Sequence, residues 1–175
     1  MRISLKTDYA VRAMAQLTAE AGNEPVKAEH IAREQDIPLK FLLGILNELR
    51  RSHLVRSQRG AEGGYSLRRP PEEITLADVI RAVDGPLANV HDSSLADLVY
   101  SGPAAALKDV WMAVRSSLRS VLETVTLADL AAGTLPESVQ SLAAEYRAWA
   151  RKQGMETAPP FRPLRLPGET VTGAL

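Results

Sequence analysis

The sequence predicts a mainly α-helical chain with one two-stranded hairpin and a long helix beyond it. Three observations carry this. Ser57 to Pro70 reads S-Q-R-G-A-E-G-G-Y-S-L-R-R-P, a Gly-rich tip bearing Arg59 between two short strand-like runs. Before it stand two helical segments joined at Asp36-Ile37-Pro38, the second basic on its outer side. After it, Leu107, Trp111, Val114, Leu118, Val121 and Val125 recur at alternating spacings of four and three, a heptad seam. Together these describe a winged helix-turn-helix with a two-stranded wing, plus a long dimerisation helix.

The elements follow in order. Apolar positions at Ala10, Val11, Met14 and Leu17 predict a first amphipathic helix over about 6–21, closed by Gly22-Asn23. Val26 to Gln35 predicts a short second helix, stopped by Pro38. Pro38 suits the first position of a third helix, with Phe41, Leu42, Ile45, Leu46 and Leu49 forming its core-facing stripe and Lys40, Asn47, Arg50 and Arg51 outside. The runs from His53 to Gln58 and from Tyr65 to Leu67 then make the ribbon. Gly60, Gly63 and Gly64 are expected to supply positive φ at its tip. Pro70-Pro71 ends it.

Thr75-Leu76-Ala77-Asp78 is a capping box opening a helix to about Val83. Similar text at Ser94-Leu95-Ala96-Asp97 and Thr126-Leu127-Ala128-Asp129 reads as independent caps, because no longer period accompanies it. Gly-Pro pairs at 85–86 and 102–103 mark a linker, with a short helical stretch near Leu95 to Tyr100. Pro136 opens a last helix to about Gln153, and the prolines beyond Met155 predict a loose tail. The expected organisation is a DNA-binding-type winged domain over 1–85, a linker or sensor loop over 86–103, a helical dimerisation region over 104–154 and a Pro-rich tail over 155–175. The heptad stripe requires a partner surface, either this chain's own core or a second copy; Trp111, with no large sheet to cover it, favours the second copy.

Composition narrows the function classes. The 175 residues are 45% hydrophobic but only 5% aromatic, which fits an aliphatic, helical core. No cysteine is present, so disulfides, thiol nucleophiles, cysteine-built zinc sites and thiolate-held iron–sulfur clusters are excluded. No apolar stretch approaches the roughly 20 residues of a membrane span and no signal-peptide pattern opens the chain, which predicts a cytoplasmic protein. The balance of 21 basic and 21 acidic residues hides a division. Met1 to Arg69 carries 12 basic and 8 acidic residues, and the remainder 9 and 13, as expected when one region faces phosphate and the other does not. No nucleophile, base and orienting group form an enzyme-like arrangement.

K-T-D-Y-A (Lys6 to Ala10), I-P (Ile37-Pro38), L-R-R-S-H-L-V-R-S-Q-R-G (Leu49 to Gly60), G-G-Y-S-L (Gly63 to Leu67) and P-P-E-E-I-T-L-A-D-V-I-R-A-V-D-G (Pro70 to Gly85) occur together and in order. They resemble the Rrf-two family of bacterial transcription regulators, the group typified by IscR, NsrR and CymR, over about Met1 to Gly85 and more loosely to about Leu130. The resemblance implies a cytoplasmic homodimer that binds a palindromic operator in double-stranded DNA, most simply as a repressor. It also implies that the long helices cross between subunits through Leu107, Trp111, Val114, Leu118, Val121 and Val125. By the same analogy Pro38, Leu39 and Lys40 approach the major groove, Arg59 with Gly60 reaches the minor groove, and Lys6, Thr7, Lys27, Arg50, Ser57 and Tyr65 contact phosphate.

Many family members sense their signal through an iron–sulfur cluster held by three cysteines before the long helix. Here that stretch, Asn89 to Pro103, holds serine and aspartate but no cysteine, and Asp8, where some members place an acidic ligand, has no thiolates to complement. No cofactor or metal is therefore expected, and His91, Asp92 and Asp97 read as ordinary linker residues. A small-molecule effector or a protein partner is the expected input instead. The rival reading is a protein-interaction module that uses the acidic carboxyl half, with DNA binding secondary.

Overall fold

The computed structural model describes residues 3–22, 24–60, 62–87 and 97–155. These fall into two compact units divided between Val139 and Gln140. The first is mainly helical with one two-stranded antiparallel sheet.

Helix α1 (Leu5–Ala19) is its central element, packing against the helices numbered 2, 3, 4 and 6 below and against the second strand. Ser4 caps it, its Oγ accepting from the Thr7 amide at 2.9 Å. Its inner face presents Tyr9, Ala10, Ala13, Met14 and Leu17; two alanines in that row let neighbouring helices approach closely. Helix α2 spans Ala28–Glu34 and starts later than its apolar pattern predicts. Val26 explains this, because it exchanges both backbone hydrogen bonds with Tyr65, each 2.8 Å, and so extends the wing instead of the helix. The stop is also built differently from the expectation. Asp36 takes φ 48° and the Ile37 amide reaches back to the Ala32 carbonyl at 2.9 Å, a left-handed cap with buried Ile37 as its apolar anchor.

Helix α3 (Leu39–Arg51) buries Leu42, Ile45, Leu46 and Leu49. Pro38 stands outside it as the cap residue, its carbonyl accepting from Phe41 and Leu42. Phe41, expected in the core stripe, is 42% exposed. It lies one residue, and so about 100° of helix, ahead of Leu42, and its ring meets that of Tyr9 in a T-shaped contact at a centroid distance of 5.7 Å. His53, with φ 59°, closes α3, and the Leu54 amide returns to the Leu49 carbonyl at 3.0 Å. The first strand, β1 (Val55–Gln58), therefore begins after this stop rather than at His53; it pairs antiparallel with β2 (Gly64–Leu67) in the register Val55 to Leu67 and Ser57 to Tyr65.

A short turn at Pro71–Glu73 leads into α4 (Leu76–Asp84); α5 (Leu107–Leu122), α6 (Leu127–Ala132) and α7 (Glu137–Lys152) complete the described elements. Of the expected helical stretch near Leu95 to Tyr100, Leu95 and Ala96 lie outside the described residues and Leu98 to Tyr100 form no regular helix; Ser94 and the tail beyond Met155 also lie outside the described residues.

The two Thr-Leu-Ala-Asp segments are not independent. Both form complete capping boxes, at Thr75 with Asp78 and at Thr126 with Asp129. They also face each other across an antiparallel bridge between Thr75 and Thr126. The Leu76 amide donates to the Val125 carbonyl at 3.0 Å and the Leu127 amide to the Ile74 carbonyl at 2.9 Å. Ile74-Thr75-Leu76 and Val125-Thr126-Leu127 thus form a local two-fold arrangement from which α4 and α6 both run onto α1. Ile74, Val125 and Leu127 are buried there. Val125, expected at the end of the dimer seam, belongs instead to this core, because α5 ends at Leu122 and the chain is extended where Val125 sits.

Charges flank the joint. Arg69 meets Asp78 at 3.5 Å, Arg81 meets Asp78 at 3.7 Å and also pairs with Glu123, and Arg119 meets Glu123 at 3.0 Å. Hydrogen bonds from Arg119 and then Arg81 hold the Glu123 carboxyl below its ordinary value. The backbone amide and then the hydroxyl of Thr126 do the same for Asp129.

Replacing Leu127 by Ala removes a fully buried side chain of the core cluster, so it should lower unfolding free energy by about 2–5 kcal/mol in a denaturant titration. The winged elements should melt together with α6; a winged domain that keeps its full stability would contradict the shared core. For Glu123 and Asp129 the folded-state values are depressed, so their contribution is present above the unfolded carboxylate values and is lost as pH falls through the folded ones. The melting-temperature gap between wild type and Glu123→Gln should accordingly close on acidification below about pH 4.

Candidate nucleic-acid interface

The exposed side of α3 and the wing lie in the same compact unit, positioned by the core just described. Lys40, Leu43, Gly44, Arg50 and Arg51 are exposed on α3, and Leu39 is exposed at its start. Arg50 donates to the Asn47 Oδ1 at 2.9 Å, which splays its guanidinium along the outer surface. Lys27 is exposed at the cap of α2.

At the wing tip Gly60 has φ 111°, and its carbonyl accepts from the Gly63 amide at 2.9 Å, so the chain reverses beside exposed Arg59. Gly63 and Gly64 do not take positive φ as expected. They are constrained by space: a Cβ on Gly63 would meet the backbone of Arg59 and Gly60, and one on Gly64 would lie 2.5 Å from the Val26 carbonyl oxygen. Ser57 is exposed on β1, whereas its partner Tyr65 is half-buried, packed against the core and bridged to Val26. The wing is thereby tied to the chain entering α2. Arg56 extends from β1 and donates to the Ser66 hydroxyl at 2.8 Å.

Two residues of the expected phosphate set do other work. Thr7 is only 4% exposed and its hydroxyl donates to Asp84, which also accepts from the Ser4 hydroxyl at 2.6 Å. The Lys6 ammonium donates to the Val83 carbonyl and pairs with Glu48 at 2.8 Å. Together they fasten the start of α1 to the end of α4, where a cation also suits the helix dipole. Leu43 and Gly44 are outward-facing residues that the sequence reading did not single out. The signal was available, since both fall in the gaps of the buried stripe Leu42, Ile45, Leu46 and Leu49.

A family model described as "Iron-dependent Transcriptional regulator", Rrf2, matches residues 3–133. The chain belongs to the Rrf2 family. An HTH-type transcriptional regulator of Mycobacterium tuberculosis, Rv1287, is 58% identical over 148 residues, covering 85% of this chain and 92% of that protein. The regulator CymR of Bacillus subtilis is 34% identical over 134 residues, covering 77% and 92%. Its solved structure, titled as that of the global cysteine regulator of B. subtilis, superposes with a TM-score of 0.65 at 34% identity, covering 77% of this chain and 98% of that one. A solved IscR of T. potens gives a TM-score of 0.59 at 34% identity, covering 74% and 85%. These Rrf2 relatives are DNA-binding transcriptional regulators of the winged-helix type, and so is this chain.

The iron in the family description meets a donor set here that does not fit a thiolate-held cluster. The chain has no cysteine, and among the described residues no three His, Cys, Asp or Glu side chains converge as metal ligands. Asp8 pairs with Arg12 at 3.3 Å. His91 and Asp92 lie outside the described residues. Among the described residues no helix is long and apolar enough to cross a membrane.

The seam residues on α5 are half-buried or exposed: Leu107, Trp111, Leu118 and Val121 are half-buried, Val114 is exposed, and Val110 and Met112 beside them are exposed too. No residue of α5 is fully buried within its own chain.

Gly64→Ala should break the Val26–Tyr65 bridge, because the added methyl has backbone on its path. A loss of about 1–3 kcal/mol is expected in thermal unfolding, with weaker DNA binding; an unchanged melting temperature would show that the bridge does not hold the wing.

Proposed function

We propose that this Rrf2 regulator works as a cytoplasmic homodimer that represses transcription from palindromic operators, without a cysteine-held iron–sulfur cluster. The observation that carries the DNA geometry is the pairing, in one compact unit, of an outward-facing basic helix start at Pro38, Leu39 and Lys40 with an exposed arginine on a hairpin tip. The start of α3 enters the major groove, Arg59 with Gly60 enters the adjacent minor groove, and Lys27, Arg50, Ser57 and the Tyr65 hydroxyl contact phosphate. Lys6 and Thr7 position α1 and are not proposed as contacts.

Two such units must read half-sites about 34 Å apart, one helical turn, which requires a dimer of fixed geometry. The half-covered apolar side of α5, through Leu107, Trp111, Val114, Leu118 and Val121, supports that role, since a surface helix with no buried residue of its own gains its burial from a partner. A small effector or a protein partner supplies the signal that a cluster supplies elsewhere in the family.

Arg59→Ala should weaken operator binding by about 1–3 kcal/mol in a gel-shift titration at fixed salt, leaving the melting temperature unchanged. Equal affinity for wild type and variant would remove Arg59 from the groove. Ultraviolet-visible spectra of anaerobically purified protein should show no iron–sulfur chromophore.

A further inference from the structure

Helix α7 lies beyond the end of the family match at residue 133 and presents an apolar row of its own. Leu142 is 50% exposed, Tyr146 64%, Trp149 49%, and Met155, just past the helix, 50%. The Tyr146 and Trp149 rings lean together at 5.8 Å, forming one continuous aromatic surface. Gly154, with φ 65°, ends the helix, and the Met155 amide returns to the Ala150 carbonyl at 3.1 Å, so the chain leaves the helix just past the row. Charge is unevenly placed along the helix: Glu137 and Glu145 precede Arg147, Arg151 and Lys152. Glu145 and Lys152 are two turns apart and flank the same side of the apolar row. Among the described residues neither takes part in an ion pair.

We propose that α7 is a self-association surface whose occupant is α7 of a second copy of this chain, packed antiparallel about a two-fold axis. One register suits both the rings and the charges. Placing Tyr146 against Trp149 of the second copy brings Glu145 beside Lys152 of that copy and Leu142 near the end of that helix, and symmetry repeats each pair. A parallel pair would set the Glu145 and Lys152 flank of one copy against the Ala143 and Ala150 flank of the other and form no ion pair, so charge favours the antiparallel arrangement. The overlap is short, and it therefore adds to another contact between copies more than it stands alone. This surface is distinct from the α5 seam, and its test does not depend on DNA binding.

Sedimentation equilibrium of the full chain reads the association constant directly. Glu145→Lys and Lys152→Glu should each weaken association about fivefold or more, because symmetry makes each change act twice. The double variant should restore it, since the exchanged charges again face each other. Leu142→Ser should weaken association without altering the melting of the first unit. Unchanged association in the single charge variants, or a double variant as weak as either single one, overturns the proposal. Failure here with intact operator binding leaves the α5 dimer standing, whereas a monomeric wild type removes both contacts.

Discussion

The structure depends on the antiparallel joint between Ile74-Thr75-Leu76 and Val125-Thr126-Leu127. Helix α6 has only six residues, far below the length at which a helix holds itself together in water. It persists because Thr126 and Asp129 satisfy its opening amides and Leu127 is buried on α1. The chain leaves α5 through a turn at Glu123 and Thr124 and enters the bridge at Val125 and Thr126. The winged domain and α6, on the far side of the long helix, therefore share one core.

The two stabilising contributions at this joint differ in size. Exposed ion pairs of the kind made by Arg69, Asp78, Arg81 and Glu123 contribute little each and weaken with salt. Complete burial of a leucine contributes about 1.5–3 kcal/mol before any cavity term. Leu127, Ile74 and Val125 therefore hold the joint, and the charges around it orient the base of the wing relative to the start of α4. The same division governs the outer side of α3 and the wing. The buried stripe of α3 and the Val26–Tyr65 bridge hold the helix and wing in place, so that exposed Lys40 and Arg59 need carry no structural duty.

Much of this was legible in the sequence because it is local. Capping boxes, a prolyl helix entry, a Gly-rich reversal and the buried positions of α3 each depend on a few neighbouring residues, and the family motifs tie them together in order. What was not legible depends on long-range partners. Val26 looks like the first apolar residue of α2 until Tyr65 is known to lie beside it. Thr7 and Lys6 look like solvent-facing polar residues until Asp84 and Val83 close over them. The two Thr-Leu-Ala-Asp segments lie about fifty residues apart without a supporting repeat, so their pairing follows only from the path of α5 between them. Val125 shows the same limit: the heptad spacing runs through it, but the helix that gives that spacing meaning has already ended.

The glycines of the wing sharpen this distinction between local and distant causes. Gly60 is required by its own backbone conformation, a local property that the sequence pattern conveys. Gly63 and Gly64 are required by the approach of backbone from Arg59, Gly60 and Val26, and a methyl at Gly64 would push the wing away from the segment that leads into α2. The hairpin is therefore not an independent ornament that happens to carry an arginine. Its tip is set by torsion and its base by close packing against the helix-turn-helix, so Arg59 and the start of α3 are held at a fixed separation. On the proposed geometry these two probes meet neighbouring grooves of one duplex together, with the ordering cost met on folding and not on binding.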